Sequence, residues 1–168
     1  MSRAPYASLN TRFGARMGDA TLVDMLMGAL HDPFHTIHMG VTAENIAAKW
    51  GITRDDQDAL AVESHNRAQR ATAEGRFKDQ IVPVMLKTRK GEVAYATDEH
   101  FRPDATREDL AKLKPVFLKD NGTVTAGNAS GINDAAAAVV LMSGEQVKAR
   151  GAQPMARLVA YAHAGVDP

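Results

Sequence analysis

No cysteine occurs among the 168 residues, which excludes disulfides, thiolate metal sites and any covalent step carried by a thiol of this chain. Neither sign of charge is in excess. Lys plus Arg and Asp plus Glu both number 20, so no bulk field draws the chain to nucleic acid or to an anionic membrane, and any anion site has to be local. A run of about 18 apolar residues is missing, and residues 1–10 contain no apolar signal-like stretch; neither membrane insertion nor secretion is indicated, and a cytoplasmic location is expected. The sequence has no G-x-S-x-G elbow, no Walker loop, no G-x-G-x-x-G and no H-E-x-x-H, and no carboxylate pair that spacing assigns to one site. A self-contained hydrolase and a phosphate-cradling loop are therefore unsupported. What is present is the composition of a globular protein, 45% hydrophobic and 24% charged.

The pattern along the chain is mixed helix and strand, an α/β reading. An apolar stretch from Leu22 to Leu30 predicts a helix that ends at His31-Asp32-Pro33, because proline cannot continue the ladder and biases Asp32 out of the α region. A second helix is expected from near Thr42 to Gly51. The longest is predicted from Thr53, which forms a capping box with Asp56, to Glu74, with Gly75 as its stop. Its small residues, Ala61, Ala68 and Ala71, should pack closely on whatever they cover. Ile81 to Leu86 and Glu92 to Ala96 read as strands that pair across the Lys90-Gly91 turn, the first demoted to an edge or bulge by Pro83. Thr106 should cap a short helix to Leu113. The remainder reads as β-α-β: a doubly apolar run from Ala135 to Met142, a helix from Ser143 to Arg150, and a strand from Ala156 to Tyr161. The Ala135 to Met142 run wants neighbouring strands on both sides, and the chain scarcely supplies them.

Three clusters have chemical content. The segment from Asn121 to Asp134 is polar and punctuated by Gly127 and Gly131; it lets backbone approach a ligand, with Thr125, Asn128 and Ser130 offering groups that grip an amide-bearing chain. The same residues also suit a tight turn before a strand. His31, His35 and His38 fall within eight residues. Pro33 interrupts the helix that would align them, so packing or surface roles compete with a metal site, and ligand contact by His38 stays open. Lys87, Arg89, Lys90, Arg102 and Arg107, with Phe101 and Phe117 nearby in sequence, suit either a nucleotide or a solvated charged face.

Taken in order, several segments resemble the thiolases, specifically the biosynthetic acetyl-CoA acetyltransferases and 3-ketothiolases of bacteria. They are Met1-Ser-Arg-Ala-Pro5, Met17-Gly-Asp19, His38-Met-Gly-Val-Thr-Ala-Glu-Asn45, Gly75-Arg-Phe-Lys-Asp-Gln-Ile-Val-Pro83, Asp98-Glu-His-Phe-Arg102, Lys112-Leu-Lys-Pro115, Gly122-Thr-Val-Thr-Ala-Gly-Asn-Ala-Ser-Gly131 and Gly165-Val-Asp-Pro168. The resemblance implies an α+β loop domain over residues 1–132 that covers a coenzyme A cleft, joined to part of a layered αβαβα core. Residues 133–152 would be a returning strand and helix of the amino-terminal half, and residues 153–168 the first strand of the carboxy-terminal half. It further implies coenzyme A contacts at Leu30, His38 and Met39 along the pantetheine channel, Arg102 at the nucleotide end, Phe117 and Ala126 on the channel wall, and Ser130 with Ile132 at the pantetheine. Asp109 departs from the pattern, since relatives often place a small hydroxyl residue there and an acid repels coenzyme phosphates.

The activity implied is condensation of two acyl-CoA molecules or cleavage of 3-ketoacyl-CoA by CoA, with CoA thioesters as substrates, no separate cofactor and no metal. The family's reactive cysteines, its Asn and its Gly-His-Pro histidine match nothing here, so no catalytic residue is expected in this chain. Met1 reads as an internal methionine of a longer enzyme. Dimers or tetramers are implied for the full-length parent. A non-catalytic CoA-binding or assembly module is the alternative, and a histidine metal protein a third.

Overall fold

The computed structural model describes residues 1–166. Its elements in chain order are β1 (Tyr6–Ala7), β2 (Val23–Asp24), α1 (Met25–Ala29), α2 (Met39–Trp50), α3 (Arg54–Ala73), β3 (Val84–Thr88), β4 (Gly91–Tyr95), α4 (Arg107–Ala111) and α5 (Gly144–Ala149). The chain is α/β. Strand β1 pairs antiparallel with β2, and β3 with β4. The residues divide into two units, one formed by Leu30–Gly131 and the other by Met1–Ala29 together with the chain from Ile132 onward.

In the Leu30–Gly131 unit the helix ends follow local chemistry. Thr53 accepts from the Asp56 amide while the Asp56 carboxylate reaches back to the Thr53 amide at 3.0 Å, so the expected capping box is present. Helix α3 runs for 20 residues, and Gly75 takes the left-handed φ of 73° that ends it. Thr106 caps α4 by accepting from the Asp109 amide. Helix α2 begins earlier than its sequence suggests: the cap is His38, whose Nδ1 accepts from the Gly40 amide at 2.9 Å, and Thr42 lies inside the first turn. Strands β3 and β4 form the anticipated hairpin, shifted so that Val84 faces Tyr95 and Thr88 faces Gly91. The shift moves Pro83, which has no N–H to donate, outside the ladder. This unit's core is small and partly polar, with Ala47, Leu110 and Val124 buried beside Asp32, Glu44, Asp58 and Thr125.

In the other unit the Leu22 to Leu30 helix is shortened to α1, because Val23 and Asp24 pair with Ala7 and Tyr6 instead. The Asp24 carboxylate then accepts from the Leu26 amide at 2.9 Å, which starts the helix one turn late. Asp134 accepts from the Ser2 amide at 2.7 Å and the Ser2 hydroxyl at 2.5 Å, joining the two stretches that make up this unit. Helix α5 falls within the span expected from Ser143 to Arg150; Ser143 caps it by accepting from the Gln146 amide, and Gly151 follows at φ 60°.

The two flanking strands do not form. Residues 135–142 and 156–161 carry no ladder, and Val140 is 86% exposed. The reason is the one their composition suggests: an apolar run buried on both faces needs a strand on each side, and the described residues provide no such neighbours. Of the terminal Gly165 to Pro168 segment, Asp167 and Pro168 lie outside the described residues.

Candidate functional site

The candidate site lies within the Leu30–Gly131 unit. The Asn121 to Gly131 stretch is held by two buried carboxylates that sequence patterning does not single out. Glu44, on α2 and 4% exposed, accepts from the Thr123 amide at 2.9 Å, the Val124 amide at 2.9 Å and the Thr123 hydroxyl at 2.7 Å. Asp58, on α3 and 3% exposed, accepts from Arg54 Nε at 2.7 Å and from Asn128 Nδ2 at 2.9 Å. Asn128 in turn accepts from the Thr125 amide at 2.7 Å and donates to the Thr123 carbonyl at 2.9 Å. Thr125 is wholly buried, and its carbonyl accepts from the Asn128 and Ala129 amides. The stretch is therefore a hydrogen-bonded turn as far as Ala129, and the strand expected after it does not form. Ala126, Ala129 and Ser130 face outward.

Burial pushes the Glu44 carboxyl up, but the Thr123 hydroxyl and the Val124 and Thr123 amides more than offset it, and the group sits below its ordinary 4.5. A depressed folded-state value stabilises the fold in full above the unfolded value and loses that contribution as pH falls through the folded one. Stability measured by thermal melting should thus carry the full Glu44 contribution at neutral pH and show no pH dependence from it there. Below pH 4.5 it should decline, less steeply in Glu44→Gln than in the wild type.

Beyond this turn lies a cleft of about 460 Å³, lined by Gln57, Leu60, Ala61, Ser64, His65 and Ala68 of α3, by Asp98, His100 and Phe101, and by Gly127 to Ser130. The α3 contributors recur at helical spacing and form one face. This is the small-residue face expected to pack closely; here it is the wall of an open cleft of the size that holds a small organic ligand, roughly 300–1,000 Å³. The imidazole of His65 accepts at Nδ1 from the Arg102 amide at 3.1 Å, tying the segment that carries Arg102 to α3. With Nδ1 occupied as an acceptor, Nε2 is the nitrogen left to donate in the neutral ring.

A second grouping forms where the chain enters α2. The Leu30 carbonyl accepts from the Met39 amide at 2.8 Å, and His31 pairs with His38 as an isolated bridge. The His38 ring meets His31 edge-on at 5.3 Å between centroids and lies against Phe117 at 4.7 Å with a tilt of 30°. Asp32 closes the intervening loop by accepting from the Phe34, His35 and Ile37 amides at 2.8, 2.7 and 3.1 Å. Those bonds hold Thr36 at φ 55°, a left-handed conformation that costs a β-branched residue about 1–2 kcal/mol.

The residues singled out by sequence therefore fall into sets. Leu30, His38, Met39 and Phe117 come together at the α2 entrance; Ser130 lines the α3 cleft, and Arg102 is linked to that cleft through His65; Ala126 is exposed on the intervening turn. Ile132 belongs to the other unit. Asp109 is bound by the Thr106 hydroxyl at 2.7 Å and by Lys112 at 2.8 Å, so its charge is spent on the cap of α4. Arg107 is ion-paired to Asp55, which removes it from the presumed basic set. Among the described residues no three His, Cys, Asp or Glu side chains come together as a metal-ligand group. Gln57, Ser64, His65 and His100 were not legible as site residues; the spacing of the α3 face was the available signal, and it does not distinguish a cleft wall from a packed face.

The family profile described as "Thiolase, N-terminal domain" matches residues 1–145. The beta-ketothiolase BktB of Cupriavidus necator is 66% identical over the whole of this chain, which covers 43% of that protein. An acetyl-CoA acetyltransferase of Rhizobium meliloti is 52% identical, with 42% of its length covered. The crystal structure of Bacillus anthracis acetyl-CoA acetyltransferase matches with a TM-score of 0.77 at 51% identity, over 97% of this chain and 41% of that one. Human mitochondrial 3-ketoacyl-CoA thiolase in complex with CoA matches with a TM-score of 0.67 at 45% identity, over 78% of this chain and 32% of that one. The chain thus spans less than half the length of the relatives it resembles.

Proposed function

The chain belongs to the thiolase family, and from that premise we propose that it is the coenzyme-holding portion of an acyltransferase that condenses two acyl-CoA molecules or cleaves 3-ketoacyl-CoA with CoA. The observation that carries the reading is the cleft between the α3 face and the Gly127–Ser130 turn, with Ser130 on its rim and Arg102 linked to its wall. Exposed backbone and hydroxyl groups beside small side chains suit the amide-bearing pantetheine arm, and a guanidinium suits the phosphates. The apolar and aromatic surfaces of Leu30, His38, Met39 and Phe117 would border the channel along which that arm runs, with Ala126 also on its wall and Ile132 at the pantetheine.

In this reading residues 1–132 form the loop domain over the coenzyme, residues 133–152 a returning strand and helix of the amino-terminal core, and residues 153–168 the first strand of the carboxy-terminal half. A sequence without cysteine cannot supply a thiol nucleophile, so the acyl-carrying thiol has to come from another segment or another chain. This chain's share is binding and orientation of CoA thioesters, without a separate cofactor. The assembled enzyme would be a cytoplasmic dimer or tetramer.

Calorimetric titration of CoA into the chain tests this. Saturable binding is expected, weakened about tenfold by Arg102→Ala, which removes a charge-assisted contact, and about three- to tenfold by Ser130→Ala. An acetoacetyl-CoA thiolysis assay on the same preparation should give no turnover above the blank. Binding indifferent to both substitutions would place the site elsewhere, and turnover would require a nucleophile other than cysteine.

A further inference from the structure

We propose that Glu44 is a positioning residue for the turn that carries Ser130, fixing its entry from α2 while Asp58 fixes its far side from α3 through Asn128. The inference rests on the coenzyme reading above, and its two carboxylates, Glu44 and Asp58, are absent from the cleft lining.

Among the described residues every hydrogen bond that the Glu44 carboxylate receives comes from Thr123 or Val124, and none of the groups that perturb it is a cation. A buried carboxylate without a counter-ion is costly to desolvate. If Glu44 only filled space between α2 and the turn, a leucine or methionine would do so at no such cost. What a carboxylate adds is acceptors for two consecutive backbone amides and a hydroxyl, groups that the turn cannot satisfy itself because Thr123 and Val124 lie outside any ladder.

Downstream, the bonds are continuous. The Thr123 carbonyl is held by Asn128, the Thr125 amide by the same Asn128 side chain, and the Thr125 carbonyl by the amides of Asn128 and Ala129. Asn128 is itself anchored to Asp58. Ser130 is the next residue past this braced stretch and lines the cleft. Its position is thereby set by two carboxylates 14 positions apart in sequence (44 and 58), on two different helices.

Glu44→Ala and Glu44→Gln separate positioning from general support. In the glutamine variant Oε1 can still accept from the Thr123 and Val124 amides, and the Thr123 hydroxyl can turn to accept from Nε2. Amide hydrogen exchange read by mass spectrometry should show at least tenfold faster exchange over residues 123–129 in Glu44→Ala, with α3 unchanged, and recovery of most of the protection in Glu44→Gln. CoA affinity, measured where α3 remains fully protected, should fall about tenfold in the alanine variant and return to within about threefold in the glutamine variant.

Asn128→Ala provides an independent arm should Glu44→Ala fail to fold; it should loosen the same stretch. Unchanged exchange over residues 123–129 in these variants would overturn the proposal, as would acceleration spread evenly across α3. Retained wild-type CoA affinity in a variant whose turn is demonstrably loosened would overturn it too. If the wild type binds no CoA, the coenzyme reading fails and takes the purpose of the clamp with it, while exchange still reports whether the clamp exists.

Discussion

Asp58→Ala is expected to lower the unfolding free energy by about 3 kcal/mol, the size observed when one partner of a buried ion pair is removed. The Asp58 side chain is 5% exposed and that of Arg54 24%, so the guanidinium left behind is only partly able to recover water. Arg54 keeps its bonds to the Leu110 and Leu113 carbonyls at 2.5 and 3.2 Å, which places it between α3 and the end of α4. Losing Asp58 also releases Asn128 from α3. Urea denaturation followed by circular dichroism would measure the effect. A loss below about 1 kcal/mol would mean that the pair behaves as an exposed salt bridge.

The second large effect is expected at Gly40. A Cβ built there would sit 2.0 Å from Phe117 Cε2 and 2.1 Å from its Cζ, closer than any van der Waals contact permits. Gly40 occupies the first turn of α2, where alanine would otherwise be the better helix former. Gly40→Ala should therefore destabilise by roughly 1–3 kcal/mol against a propensity gain of up to about 1, with Phe117 displaced from His38. Because Phe117 and His38 are both in the proposed channel wall, CoA affinity should fall with stability. Gly144→Ala is the control: nothing lies within 4 Å of its Cβ position, and stability should be unchanged or slightly raised.

These two positions also illustrate what could be read from the chain and what could not. Signals that act within a few residues were legible: the Thr53 and Asp56 box, the Thr106 cap and the stop at Gly75 all operate over one turn of helix. His38 was not legible as a cap, because imidazole rarely serves in that role and Thr42 carries a more familiar capping side chain. Glu44 and Asp58 look like ordinary surface acids on helices. Their burial depends on partners 70–80 positions away, and no periodicity encodes that distance.

The apolar run from Ala135 to Met142 shows the opposite error. Composition identifies it as something that wants to be buried, but a strand exists only when another strand accepts its hydrogen bonds. The family was legible because the resemblance rests on whole segments, Gly122 to Gly131 above all, and the profile match over residues 1–145 agrees. The cleft was half legible: Ser130 and Arg102 were singled out, whereas the α3 face that forms its wall was read as a packing surface.

Amide hydrogen exchange of the wild-type chain with and without saturating CoA tests the central claim most directly. Protection is expected on residues 57–68, 98–102 and 127–130, the three segments that bound the cleft or are tied to it. No change with CoA, or protection confined to residues outside these segments, would contradict the assignment of this cleft to the coenzyme.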